Sequence, residues 1–206
     1  MPSGENEPVK SLIYSNIWIY RTMMNVLYSG RYKRRFEEVI ALVGPDDRNV
    51  LELCFGDTYI AEFCRDTART WTGLDINQDF IEFAQRKGHD ARMADISSME
   101  SLPPADVCIM MGSLYHFNQN TANLFHKMLS SSNRLIISEP VRNLSSRSGV
   151  IGKMARYSAN AGKGHEHFRF SRTTLISKMD EIRQEVDFTY EIISENRDIL
   201  IVIRHD

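Results

Sequence analysis

Several short stretches of this chain close an apolar run with residues that bind or react. They are Glu52-Leu53-Cys54-Phe55-Gly56-Asp57-Thr58, Asp75-Ile76, Ala94-Asp95-Ile96, Met111-Gly112-Ser113-Leu114-Tyr115-His116 and Glu139-Pro140. Carboxylates accept hydrogen bonds from hydroxyl and amino groups, and a histidine can carry a proton near neutral pH. A glycine lets the backbone turn and approach a ligand closely. Asp75 follows the Gly56 turn by about twenty residues, a spacing at which a carboxylate accepts both hydroxyls of a ribose. Each residue also has a plainer reading. Glu52 reads equally as a strand-end carboxylate, Asp75 as a helix cap, and Asp95-Ile96-Ser97 as a simple turn. Cys54 reads as packing, since its thiol has no evident activating partner.

The elements that must position these residues follow from hydrophobic period. Ile13, Ile17, Tyr20 and Met24 recur at helical spacing, as do Tyr32, Phe36, Val39, Ile40 and Val43. Gly44-Pro45-Asp46-Asp47 stops that run. Short apolar strands then alternate with helices. Strands are expected at Val50–Leu53, Trp71–Ile76, Asp90–Met93, Val107–Met111 and Leu135–Ser138. The intervening helices carry Ile60, Phe63 and Cys64; then Phe80, Ile81 and Ala84, between an Asn77 cap and Gly88; then Leu124, Phe125, Met128 and Leu129. Such alternation implies a parallel sheet with right-handed crossovers. A helix through Leu175, Ile176, Met179 and Ile182 leads to strands near Asp187–Ser194 and Ile199–Arg204. The turn Glu195–Asp198 makes that pair antiparallel. The expected fold is therefore α/β: a doubly wound, seven-stranded, mostly parallel sheet with a C-terminal antiparallel hairpin and N-terminal helices. One domain spans 1–206. Within it, 1–44 forms a helical lid and 45–206 the core, with a polar cover at 140–171 that is partly helical around Val150–Tyr157.

Composition excludes several classes. The chain has 206 residues, 42% of them hydrophobic, and 25 basic against 27 acidic side chains. That balance speaks against a dedicated nucleic-acid binder. No apolar run is long enough to span a membrane, and the N-terminus lacks the basic and apolar regions of a secretory signal. The three cysteines, Cys54, Cys64 and Cys108, are odd in number and set among apolar neighbours. They read as reduced thiols of a cytoplasmic protein.

In their order, VLELCFGDT, GLDIN, MADI, ADVCIMMGSLYHF and RLIISEP resemble the motif series of class I S-adenosylmethionine-dependent methyltransferases, over roughly Arg35 to Arg204. The resemblance implies a Rossmann-like fold, S-adenosylmethionine as cofactor, and positions for binding it. Glu52 would orient the first loop. Cys54, Phe55 and Gly56 would line the methionine portion. Asp75 would take the ribose hydroxyls with Ile76 against the adenine, Asp95 the adenine amino group with Ile96 beside it, and Met111 and Gly112 would run under the sulfonium. Tyr14, Trp18 and Tyr20 would close the site. The family's first motif is acidic-x-Gly-x-Gly-x-Gly, whereas Cys54 and Thr58 hold the outer glycine places here. A cysteine fits if its backbone angles are ordinary, and a β-branched threonine fits poorly at positive φ.

His116, with Tyr115, is the catalytic candidate. Its neutral imidazole would accept a proton as a substrate hydroxyl or amine attacks the methyl group; the plainer reading is a histidine that orients its loop. The expected activity is in-line methyl transfer to a small-molecule acceptor, by a monomer or homodimer that needs no metal, nucleic acid or membrane. The alternative is a non-catalytic cofactor-binding or interaction protein on the same fold. A nicotinamide oxidoreductase is disfavoured, because the first loop is not GxGxxG and Tyr157 is followed four positions later by Ala161. His165-Glu166-His167 lacks further metal ligands and reads as a solvated or substrate-contacting loop. Arg31-Tyr32-Lys33-Arg34-Arg35 reads as a solvated helix face, with Lys33–Glu37 and Arg34–Glu38 at i,i+4 and Tyr32 and Phe36 inward. The ten methionines read as core filler.

Overall fold

The computed structural model describes residues 17–141 and 168–205. Tyr14, the His165-Glu166-His167 run and most of the expected cover lie outside the described residues. Two helices lead, α1 (Ile17–Leu27) and α2 (Tyr32–Ile40). Then come β1 (Asn49–Leu53), α3 (Tyr59–Asp66), β2 (Thr70–Asp75), α4 (Gln78–Arg86), β3 (Asp90–Met93) and β4 (Val107–Met111). A 3-10 turn at Leu114–Phe117 precedes α5 (Thr121–Ser131) and β5 (Arg134–Pro140). The chain closes with α6 (Arg172–Ile182), β6 (Thr189–Glu195) and β7 (Asp198–Arg204).

The strands form one sheet in the order β3-β2-β1-β4-β5-β7-β6. β1 to β5 pair in parallel, while β7 runs antiparallel to both of its neighbours. The terminal hairpin is tighter than the sequence suggests. β6 reaches Glu195 and β7 starts at Asp198, so Asn196 and Arg197 alone make the turn.

Strand alternation divides the core into two layers. Leu51, Leu53, Leu74, Cys108, Met110, Leu135 and Ile137 face α5 and α6, meeting Phe125, Met128, Leu175 and Met179. Val50, Trp71, Val107, Ile109 and Ile136 face the opposite way, against Phe36, Val39, Ile60, Cys64, Phe80 and Ala84 of α2, α3 and α4. Burial on both faces explains why β4 and β5 read as continuous apolar runs rather than as alternating ones. Fully burying one such side chain contributes about 1.5–3 kcal/mol. Asn77 caps α4, its side chain accepting the Asp79 N–H at 3.1 Å, and Gly88 ends that turn at φ 80°. Gly73 in β2 has a packing reason: a Cβ there would lie 2.1 Å from the edge of the Trp71 ring and 2.8 Å from Phe55.

Candidate active site

The strand order reverses between β1 and β4, so their carboxyl ends frame the crevice where ligands bind in such sheets. The loop after β1 turns sharply there. Cys54 has φ 54° and Gly56 φ 59°. Cys54 therefore does not meet the condition of ordinary angles under which a cysteine fits easily here: it sits in the left-handed region. An L-residue there costs about 1–2 kcal/mol, and the Cys54 N–H donating to the Leu74 carbonyl at 2.7 Å helps to hold it. Thr58 stays at φ −100°, so the third glycine place carries no strain. Its hydroxyl donates to Glu62 at 2.9 Å and accepts from Lys87 at 3.2 Å.

Asp75 binds the loop together. One carboxylate oxygen accepts the Gly56 N–H at 3.2 Å, and the other the Asn77 N–H at 2.8 Å. Ile76 beside it is partly exposed. Asp95 shapes the next strand end, accepting the Ser97 N–H at 3.1 Å, as the plainer turn reading has it. Ile96 is buried in the core beneath. Met111 is buried, and Gly112 turns at φ 66° with its N–H on Ser138 at 2.7 Å.

Two residues of the set lie beneath the crevice rather than at it. Glu52 is fully buried and accepts the Trp71 indole N–H at 2.9 Å. Burial pushes its carboxyl well above the ordinary range, and the indole bond opposes that shift only in part. The Phe55 ring packs edge-on against Trp71, 5.2 Å between centroids. That leaves the backbone of Phe55 to line the loop. The Cys54 thiol is likewise held well above its ordinary value, first by burial and then by Asp75. It is a protonated packing group rather than a nucleophile.

On the far side of β4, Tyr115 and His116 stack at 3.9 Å between ring centroids in the 3-10 turn. Arg169 lies over the Tyr115 ring at 3.5 Å. Glu139, named as a strand-end residue but given no role from the sequence, supports this turn: its carboxylate accepts the Leu114 N–H at 3.0 Å.

The N-terminal helices contribute more than the sequence indicated. Tyr20 stands over the first loop, its hydroxyl 3.1 Å from where a Cβ on Gly56 would sit, and it packs on Phe80. Trp18 is largely exposed. Arg21 grips the buried Asp57 through Nε at 3.0 Å and Nη2 at 2.6 Å. The basic run on α2 divides. Lys33–Glu37 and Arg34–Glu38 form the expected surface pairs. Arg35 departs from the solvated-face reading: it is buried, and its Nε donates to Asp198 at 2.8 Å. The i,i+4 spacing on α2 could not have revealed a partner that lies 163 positions further along the chain.

No family model and no curated protein matches the chain. Solved structures do. The plantazolicin methyltransferase BpumL, in complex with a monoazolic desmethylPZN analog and SAH, aligns at TM-score 0.64 and 13% identity, over 95% of this chain and 96% of its own. The methyltransferase domain of bacterial CtHen1 aligns at 0.62 and 14%, over 84% and 97%. Magnesium protoporphyrin IX methyltransferase from Synechocystis PCC 6803, with bound SAH, aligns at 0.59 and 12%, over 91% and 87%. The chain has the class I methyltransferase fold. Asp75, the strained first loop and Gly112 all lie at the carboxyl ends of the adjacent strands β2, β1 and β4 of that fold. Among the described residues no cluster of metal-ligating side chains occurs, and no helix is long and apolar enough to cross a membrane.

Proposed function

We propose that the chain is an S-adenosylmethionine-dependent methyltransferase acting on a small-molecule acceptor. One observation carries the reading. At the switch point Asp75 braces a left-handed loop, and Gly56 and Gly112, both at positive φ, turn the backbone sharply at the ends of β1 and β4. The residues present fit the cofactor. Asp75 would accept the ribose hydroxyls, Ile76 would lie against the adenine, and Asp95 would take its amino group. Cys54, Gly56, Met111 and Gly112 would line the methionine portion. The cofactor, when bound, supplies an activated methyl group on a sulfonium, so most of what the protein must add is alignment. Tyr115 would shape the acceptor cavity, and a ring nitrogen of His116 would take the proton that the acceptor's hydroxyl or amine releases. The three free thiols agree with a reducing, cytoplasmic setting.

The test is calorimetric titration with S-adenosylmethionine and S-adenosylhomocysteine, beside Asp75→Ala. Heat that the variant abolishes is expected; no heat with the unaltered protein overturns the reading. Cys54 at a glycine place favours the second reading, a binder without turnover. Binding with no transfer of labelled methyl to any acceptor, and no effect of His116→Ala, would establish that reading instead.

A further inference from the structure

Beyond β4, on the side away from Asp75, one arginine is held in place with donors to spare. Arg169 stands just ahead of α6, and its backbone is pinned from the residues that follow. Phe170 is buried in the core layer that holds Leu175 and Met179. Ser171 caps α6 twice over: its hydroxyl accepts the Thr174 N–H at 3.2 Å, and Thr174 Oγ1 accepts the Ser171 N–H at 2.8 Å. The side chain is pinned as well. Its guanidinium carbon lies 3.5 Å from the centre of the buried Tyr115 ring, whereas the other arginine–ring contacts among the described residues run from 4.2 to 5.9 Å. Only a guanidinium lying flat on the ring comes so close.

Little of Arg169 is used. Nη1 donates to the Phe168 carbonyl at 2.6 Å, and no carboxylate pairs with the guanidinium among the described residues. Arg35 and Arg172, by contrast, are paired with Asp198 and Glu195. Arg169 acts electrostatically on Glu139, but burial pushes that carboxyl up to about 8, so it is protonated at neutral pH and leaves the cation uncancelled. Stacking occupies a face of the guanidinium and leaves the remaining N–H groups pointing outward in its plane. Ordering a long side chain costs entropy, and a fork already ordered, without a counter-ion, is suited to grip an anion through two N–H groups.

We infer that Arg169, stacked on Tyr115, is the specificity-determining residue of the acceptor site, and that it selects an acceptor carrying an oxyanion group, a carboxylate or a phosphate, besides the atom that is methylated. The inference rests on the cofactor reading above for the direction of approach. A methyl group transferred in line is met from the side away from its sulfonium. With the cofactor over β2, β1 and β4, the acceptor enters over β4 and β5, where Tyr115 and Glu139 stand. The rings of Tyr115 and His116, 3.9 Å apart, and the exposed Phe168 next to Arg169 suit a flat, ring-bearing acceptor.

The test is a ligand-observed NMR titration of the intact protein, with and without saturating S-adenosylhomocysteine. The probes are benzoate, phenyl phosphate and the neutral benzamide. At least one oxyanion probe is expected to bind about tenfold or more tighter than benzamide, the scale of one charge-assisted pair; the tighter of the two names the oxyanion. Arg169→Gln is expected to bring the three probes to one affinity while S-adenosylhomocysteine binds as before, which also shows the variant folded. The comparison of probes on the unaltered protein stands without the variant. Equal binding of the three probes, or binding of none, overturns the subsite, and so does a preference that survives in the folded variant. If S-adenosylhomocysteine fails to bind the unaltered protein while the oxyanion preference is present, the cofactor reading falls and the oxyanion site stands.

Discussion

At the scale of single residues, Glu139 and Cys54 carry measurable consequences of their surroundings. Glu139 is fully buried, and burial lifts its carboxyl to about 8 against the opposing Leu114 N–H and Arg35. In the unfolded chain it ionises near the ordinary 4.5. Between those values the folded state binds the extra proton, so stability is full below about pH 4.5 and is lost as pH rises through about 8. Glu52 is shifted in the same direction. Glu139→Gln, which keeps the acceptor for Leu114 without a titrating proton, is therefore expected to flatten the decline. A set of thermal midpoints from pH 5 to pH 9 checks this; at the alkaline end the variant should gain at least about 1 kcal/mol, since one pKa unit is worth about 1.4. Cys54 is held at φ 54°. Cys54→Gly relieves the strain but adds unfolded-state freedom, so denaturant unfolding should show a change within about 1 kcal/mol. Cys54→Val places a β-branched side chain at the same angle and should cost about 1–3 kcal/mol.

At the scale of elements, α1 is the part most dependent on others. Its 11 residues are fewer than the roughly 12–15 at which an isolated helix becomes even marginal in water. It is held to the first loop by Tyr20 over Gly56 and by the Arg21 grip on Asp57, whose side chain is fully buried. Removing that guanidinium leaves a buried carboxylate without its main partner. Arg21→Ala is expected to cost about 1–3 kcal/mol locally. Hydrogen exchange should report it as a loss of protection of about tenfold or more in α1, with β4 amides affected less, because local opening falls on the peripheral helix. Equal loss in α1 and β4 would mean that the ion pair supports the whole fold and is not a latch. The same contrast of local and distant ties governs what spacing can reveal. Asn77 and Gly88 bound α4 through contacts within a turn, and both are legible as such. Asp75 fell at the expected distance from Gly56 because β1, α3 and β2 form one compact unit.

At the scale of the whole molecule, the cofactor reading is a statement about stability. A ligand that binds only the folded state, at about 100 times its dissociation constant, adds roughly 2.7 kcal/mol. For a chain of this size that is on the order of 5–10 °C in the thermal midpoint. S-adenosylhomocysteine is expected to produce that shift and Asp75→Ala to remove it, whereas a midpoint unmoved by ligand would count against the proposed function. The amino-acid sequence alone determined the class of fold, the order of strands along the chain, the terminal hairpin and the loops that meet at the crevice. It could do so because strands buried on both faces must be apolar throughout, and because turns and caps use neighbouring residues. It did not determine that Phe55 and Glu52 sit beneath the crevice, that Cys54 bears the strain of a glycine, or that one arginine of a surface-like run is buried. Those depend on sheet order. Only when β7 inserts beside β5 does Asp198 come within reach of Arg35 and Ser138. No periodicity along the chain encodes a contact made by such distant segments; the packing of α2 on the assembled sheet decides it.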